Sequence, residues 1–377
     1  MSFWLTASTF HLVFSIVCLR VARRWQVRLA STRPAAAWVR VILLDAVGLL
    51  GVAVVLAAAG AFIGPRSGFT AVRLLAQGLF GETILLTGAI AWLIVRSHRW
   101  IAGLTCSLVP LGLVAIYWEA YHREPTDLRV RHHAVEIGQA PEKRRLRILH
   151  LSDIQADHVG AYEERAIALA GAQGADLVVW TGDYVQPRLG STRERATADL
   201  NALLRSRPLH APLGSFAVRG DVDRDWPAVF DGTGIEALTD ESARVQLPSG
   251  RFLSVIGLTP GMSHGRGRDG LLDLVRRAPA GDIRIVLGHG PDFVVNLAKA
   301  EPIDLALAGH THGGQVVLPF LGPPYTKSSL PRRNASGLSL FEGVPLHVSA
   351  GIGMERGSAP QIRFLCPPEI CVIEVVY

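Results

Sequence analysis

The sequence predicts an α/β domain preceded by an all-α region that lies in a membrane. Three observations carry this reading. Residues 1–121 are mostly long apolar runs, whereas residues 122–377 have the mixed composition of a water-soluble domain. In that second part, short Val/Ile/Leu-rich runs alternate with helix-like stretches, as strands buried on both faces alternate with the helices that cover them. Most of these short runs stop at an Asp, Gly or His.

The membrane region comes first in the chain. Of 377 residues, 49% are apolar and 19% charged, and the mean hydropathy is +0.28, too apolar for an ordinary soluble protein. Four runs approach the length of about 20 residues that a bilayer requires: Phe3–Leu19, Val41–Ile63, Leu74–Val95 and Ile101–Tyr117. The first reads as an anchor rather than a cleaved signal, for want of a basic leader and a small-residue cleavage site. Arg20, Arg23, Arg24, Arg28, Arg33 and Arg40 fill the loop after the first run. Arg96 and Arg99 follow the third, and Arg66 and Arg73 lie between the second and third. The positive-inside bias then puts the loops after the first and third runs in the cytoplasm, with both termini and the C-terminal domain outside. The same arginines account for much of the net charge of +6, which argues against a nucleic-acid partner. Asp45 and Glu82 fall within spans. So few ionisable groups suit helix packing better than a transport path. Cys18 and Cys106 sit in apolar runs, and with Cys366 and Cys371 they outline no disulfide framework.

The chain divides into a transmembrane region of about four helices (1–121), a linker with a first strand (122–145) and a globular domain (146–377). Leu128–Val135 reads as a strand of mixed polarity, then Pro141–Arg145 as a charged turn. Buried strands follow at Leu146–Ser152, Leu177–Thr181, Phe216–Arg219, Leu253–Leu258, Ile283–Leu287 and Leu305–Ala308. Helix-like stretches occupy Glu163–Ala172, Arg193–Leu204 and Phe293–Ala300.

The chemistry is at the strand ends, where α/β folds collect their sites. Asp153, Gln155, Asp157 and His158 follow one strand, Gly182-Asp183 the next, and Gly220-Asp221-Val222-Asp223 a third. Gly288-His289-Gly290 and Gly309-His310-Thr311-His312-Gly313-Gly314-Gln315 close two more. Gly-Asp alone is common, and a strand-ending Asp is often only a helix cap. Two histidines two apart, bracketed by glycines after an apolar strand, are hard to justify structurally. Carboxylates and imidazoles gathered at one edge make a mixed oxygen and nitrogen site suited to Mn, Fe or Zn.

From Leu146 to Gly353 this series resembles the calcineurin-like metallophosphoesterase superfamily, with its D-x-H, G-D, G-N-H-D/E, G-H and G-H-x-H motifs. The last motif resembles the bacterial branch that often carries N-terminal membrane segments. The resemblance implies a sandwich of two mixed β-sheets flanked by helices, and phosphoester hydrolysis by a water activated on two divalent ions. It implies that Asp153 and His312 bind the first metal, that Asp183 bridges, and that Asp221, His289 and His310 bind the second. Gln155 stands where the family has His, and keeps an amide oxygen for the first metal. The superfamily's diphosphatases with D-x-Q are similar. Asp221 replaces the family Asn and adds a negative charge. Val222 replaces the histidine that contacts the phosphate and protonates the leaving group; Asp157 and His158 are the substitutes in reach. Asp223 could orient an imidazole restored at position 222.

These features predict an enzyme acting on a phosphorylated small molecule or lipid at the outer face of the cell membrane, hydrolysing a phosphomonoester, phosphodiester or pyrophosphate, with an envelope precursor among the candidates. Gln155 and Val222 point the other way, to a catalytically weak metal-binding membrane protein with a regulatory or structural role.

Overall fold

The structure is a computed structural model that describes residues 83–96, 100–138, 143–187, 192–224, 226–298, 302–356 and 359–377, with Arg73, Ala76, Phe80 and Gly81 as single positions. The first two apolar runs, the arginine-rich loop between them, Arg66, Arg99, Asp45, Glu82 and Cys18 lie outside the described residues. Those described divide into two compact units. One runs up to Glu119 and includes 359–360; the other comprises Ala120–Arg356 and Gln361–Tyr377.

In the first unit, α1 (Thr83–Arg96) falls largely within the third apolar run and α2 (Trp100–Trp118) covers the fourth. Gly103 lets them approach closely, since a methyl group there would collide with Val95. The hydroxyls of Thr87, Thr105 and Ser107 each donate to the carbonyl four residues back, so no helix hydroxyl of these three needs water. Among the described residues one helical stretch, Gly103–Thr126, is long and apolar enough to cross a membrane, with a mean hydropathy of 1.4 over its best window. Leu104, Leu108, Leu111 and Trp118 are exposed along it.

The second unit holds two six-stranded mixed sheets. In chain order its elements are β1 (Arg129–Glu136), β2 (Arg145–Leu151), α3 (Ala161–Gly171), β3 (Leu177–Trp180), α4 (Arg193–Ser206), β4 (Ser215–Val218) and β5 (Glu236–Leu238). Then follow β6 (Glu241–Gln246), β7 (Phe252–Gly257), α5 (Arg268–Arg277), β8 (Ile283–Leu287), α6 (Phe293–Leu297) and β9 (Leu305–Ala308). β10 (Gly337–Phe341), β11 (Val344–Val348) and β12 (Glu369–Val376) complete it. The first sheet has the order β1-β12-β2-β3-β4-β5 and the second β10-β11-β9-β8-β7-β6. In each, a parallel centre (β2 to β5, and β7 to β9 with β11) carries antiparallel pairings, β12 with β2, β6 with β7, and β10 with β11.

Burial follows the alternation of side chains along each strand. Ile148, Val179, Val218, Val255, Ile285 and Leu307 meet between the sheets. The opposite face of the first sheet takes α3 and α4 through Ile167, Ala170, Ala196 and Leu200. That of the second takes α5 and α6 through Leu271, Val275, Phe293 and Leu297. At roughly 25 cal/mol per Å² of apolar surface, these three layers are the main stabilising contribution. The parallel strands all deliver their C-terminal ends to one edge, and the loops that leave that edge carry the polar residues.

Candidate metal centre

Each strand end turns abruptly after its last apolar residue. Asp153, Gln155, Asp183, His310 and His312 all adopt positive φ, between 46° and 69°. That backbone is costly for a residue with a Cβ and is held only where the surroundings impose it. Here the surroundings are backbone hydrogen bonds between adjacent loops. Asp153 N–H donates to Gly182 O at 2.9 Å and Gln155 N–H to Asp183 O at 2.8 Å. Asp223 ties the third loop in. Its carboxylate accepts from the N–H groups of Asp183, Tyr184 and Gly220, each at 2.8 Å. It is thus a turn clamp engaged by backbone. Val222 itself contributes its N–H, 3.1 Å from Asp183 Oδ1.

The side chains converge. His289 Nε2 lies 3.3 Å from Asp183 Oδ1 and 3.6 Å from Asp221 Oδ1. His310 Nδ1 lies 3.1 Å from His289 Nε2 and 3.8 Å from Asp221 Oδ2. On the other side, His312 Nε2 is 3.4 Å from Asp153 Oδ1, and the Gln155 amide donates to Asp183 Oδ2 at 3.2 Å. Ligand atoms of Asp153, Asp183 and His312 fall within 4.8 Å of one another, as do those of Asp183, Asp221 and His289. Asp183 is common to both groups. His289 Nδ1 is 2.7 Å from Thr181 O, which fixes the ring orientation and turns Nε2 inward toward the carboxylates.

The electrostatics are those of a carboxylate cluster withheld from water. Burial, with the neighbouring Asp183 charge, pushes Asp153 up to about 7. Burial and the Asp183 charge also push Asp223 up to about 6. Burial opposes protonation of His289, yet Asp183 and Asp221 hold it well above the usual histidine range. Burial keeps His310 and His312 well below that range. Asp221, despite burial, is held well below the carboxylate range by its hydrogen bond to His289 and the charges around it. Gln155 Oε1 and both ring nitrogens of His312 are buried with no hydrogen-bond partner among the described residues. Orphaned donors of this kind, beside three carboxylates, fit a pair of divalent cations.

Three further side chains meet the cluster. His264, at the end of a one-turn helix Pro260–Ser263, groups with Asp221 and His310, its ring centroid 4.5 Å from that of His310. Burial and the nearby His289 charge hold it below the usual range. Lys327 Nζ is 4.0 Å from Asp221 Oδ2 and 2.8 Å from Glu355 Oε2. Arg356 Nη1 lies 3.3 Å from Asp157 Oδ2, and its Nε donates to Gln155 O at 2.6 Å. Sequence reasoning missed all three, since none stands directly at the end of an apolar strand; the available signal was an additional histidine between β7 and α5. Of the two substitutes expected for the absent histidine, Asp157 faces Arg356, and His158, whose side chain is 70% exposed, pairs with Asp157. Neither belongs to the converging groups among the described residues.

Residues 146–314 match the family described as calcineurin-like phosphoesterase. Among individual proteins, an uncharacterized metallophosphoesterase of Bacillus subtilis, YkoQ, is 26% identical over 275 residues, covering 68% of this chain and 97% of that one. The phosphodiesterase YaeI of Escherichia coli is 29% identical over 216 residues, 56% of this chain and 74% of its own. The UDP-2,3-diacylglucosamine pyrophosphatase LpxG of Chlamydia trachomatis is 26% identical over 338 residues, 73% of this chain and 98% of its own. Two stacked mixed sheets with flanking helices, the strand-end carboxylates and imidazoles, and these matches agree: the globular part of the chain belongs to the calcineurin-like metallophosphoesterase superfamily, and the protein is a metal-dependent phosphohydrolase.

Proposed function

We propose that the protein is a membrane-anchored hydrolase of phosphodiesters or pyrophosphates on a lipid or envelope precursor, working with two divalent ions of the Mn, Fe or Zn class. The observation that carries this is the pair of convergent ligand groups that share Asp183. In this reading Asp153, Gln155 and His312 hold one ion, Asp221, His289 and His310 the other, and Asp183 both. When bound, such a pair clamps the phosphate and supplies the nucleophile near neutral pH. The chain's own residues do the rest. Thr181 O orients His289; Asp223 holds the loop that carries Asp221; Lys327, anchored by Glu355, offers a cation to the phosphate. His264 sits beside Asp221 and His310 and, in its protonated form, would give the leaving oxygen the proton that Val222 cannot.

The anchor is supported by the apolar stretch Gly103–Thr126 and by the four apolar runs in the sequence. The arginine bias supports an outward-facing domain. A lipid-linked pyrophosphate is favoured by the relative named as a UDP-2,3-diacylglucosamine pyrophosphatase. The test uses the full chain in lipid vesicles, assayed with Mn²⁺ on bis-p-nitrophenyl phosphate and on a nucleotide-linked diacyl sugar. Metal-dependent turnover of both, abolished in Asp183→Asn, is expected. Turnover of neither, or full activity and full metal content in Asp183→Asn, overturns the proposal. Fusions at Tyr377 test orientation: alkaline phosphatase active and green fluorescent protein dark is the expected pair.

A further inference from the structure

The layer between the sheets is apolar along most of its length, but at one end it contains an island of imidazoles and a thiol. Strand register puts them there. Cys371 of β12 pairs with Arg131 on one side and with His150 on the other. Cys371, His150 and His133, two residues beyond Arg131, therefore point to one face. That face looks toward the second sheet, because Ile148 and Ile373, on the same side, lie in the inter-sheet core. From the second sheet comes His347 of β11, paired with the core residue Leu307.

This island is almost dry. His150, His347 and Cys371 are fully buried, and His133 is half-buried. The two buried imidazoles share one contact, Nδ1 to Nδ1 at 2.9 Å, and His150 Nε2 lies 2.8 Å from Thr181 Oγ1. His347 Nε2 is left buried with no hydrogen-bond partner among the described residues. A buried polar atom left so costs about 1–3 kcal/mol, which calls for a ligand. The His133 ring packs against that of His347 at a tilt of 56°, with ring centroids 4.9 Å apart. One ligand atom each from His133, His347 and Cys371 falls within 4.8 Å of the other two.

We infer that His133, His347 and Cys371 form a third, mononuclear site for a borderline-soft transition metal of the zinc class, independent of the strand-end centre. Two imidazole nitrogens and one sulfur are a donor set zinc accepts in tetrahedral sites. Burial keeps His133 and His347 below the usual histidine range, so both present a lone pair rather than a proton. The Cys371 thiol is raised by burial and by Glu369. Binding therefore expels the thiol proton to solvent as the metal–sulfur bond forms. Glu369, on the same face of β12 and against the thiol, brings a second negative charge to balance a dication. The ion would staple β1 and β12 of one sheet to β11 of the other. It is also joined to the strand-end centre by hydrogen bonds from His150 through Thr181 and Ser152 to Asp153.

Cobalt distinguishes this site from the other. The strand-end residues offer only oxygen and nitrogen, so a thiolate-to-cobalt charge-transfer band in the near ultraviolet reports Cys371 alone. The full-length protein in detergent, stripped by a chelator, is titrated with Co²⁺. The expected result is a band that rises to the intensity of one thiolate per chain, persists in Cys366→Ser and in Asp183→Asn, and is absent in Cys371→Ser. Its persistence in Asp183→Asn separates this inference from the proposal above. Losing an outer-shell partner alone weakens metal affinity about 10–100-fold, so His133→Ala, at a half-buried position that tolerates truncation, weakens cobalt binding by about 100-fold or more. No band in the wild-type protein, a band that survives Cys371→Ser, or unchanged affinity in His133→Ala overturns the inference.

Discussion

Gly309 gives the sharpest test of how tightly the strand-end centre is built. It follows β9 and does not adopt a left-handed backbone, so alanine is sterically compatible with its own φ and ψ. The obstacle lies across the loop. A methyl group at 309 would lie 1.9 Å from Ser152 Oγ and 2.2 Å from Asp153 Oδ2. Against ordinary contact at 3.4 Å, the Asp153 carboxylate must retreat by 1.2 Å. It cannot swing aside freely, because it accepts the His310 N–H at 3.0 Å and the Ser152 hydroxyl. Overpacking of this kind costs about 1–3 kcal/mol, or roughly 2–12 °C in Tm for a domain of this size. A misplacement of about 1 Å at a reacting centre costs on the order of 100-fold in rate. Gly309→Ala should therefore fold, lose metal from the first group and fall about 100-fold in turnover of bis-p-nitrophenyl phosphate. Gly174→Ala is the control. Gly174 has φ +60° and open space around it, so it loses a similar stability, about 1–2 kcal/mol, with activity intact. Wild-type metal content and turnover in Gly309→Ala would refute the close approach on which the reasoning rests.

Other expectations follow from the same geometry. His264→Ala should lower kcat/KM about 100-fold or more on an alkyl phosphodiester and far less on the p-nitrophenyl ester, whose leaving group needs little proton help; equal losses would remove His264 from that role, and Val222→His in the His264→Ala background should restore part of the alkyl activity. Arg363 is fully buried and donates to the carbonyls of Ala350, Gly351, Gly353 and Cys366, so Arg363→Met should cost about 3 kcal/mol by chemical denaturation, and a cost under about 1 kcal/mol would show those carbonyls finding other partners. Asp153, raised to about 7, is protonated below that pH in the metal-free protein and must lose its proton when an ion binds. Proton release on Mn²⁺ binding, read by calorimetry in buffers of different ionisation enthalpy, should be larger at pH 6 than at pH 8.5, and a release independent of pH would contradict the raised carboxyl.

The strands that end in chemistry were legible because two signals coincide there. Ile283–Leu287 and Leu305–Ala308 are apolar runs stopped by Gly-His, and the structure begins and ends them at the same residues. β6 carried no such signal: its sequence is ESARVQ and its side chains are exposed or half-buried, so its strand character comes from pairing with β7. α5 was hidden behind a Gly- and Arg-rich stretch, although its apolar residues Leu271, Leu272, Leu274 and Val275 lie on one buried face. His264 was illegible for a different reason. Its neighbours Asp221 and His310 are remote in sequence, and they meet it only because the loop after β4 of the first sheet comes against the loops after β7 and β9 of the second.

The position of β12 bears on how the protein is made. This strand lies between β1 and β2, and the ion pair from Arg147 to Glu374 joins residues 227 positions apart. On a ribosome, β1 and β2 emerge long before their shared partner exists. Until residues 369–376 are translated, each shows an unpaired edge, and the half of the inter-sheet layer beneath them stays open. Closing so long a loop is slow, and exposed edges invite pairing with other chains. Its completion waits for translation of the last strand, while the apolar helices upstream have already left the ribosome.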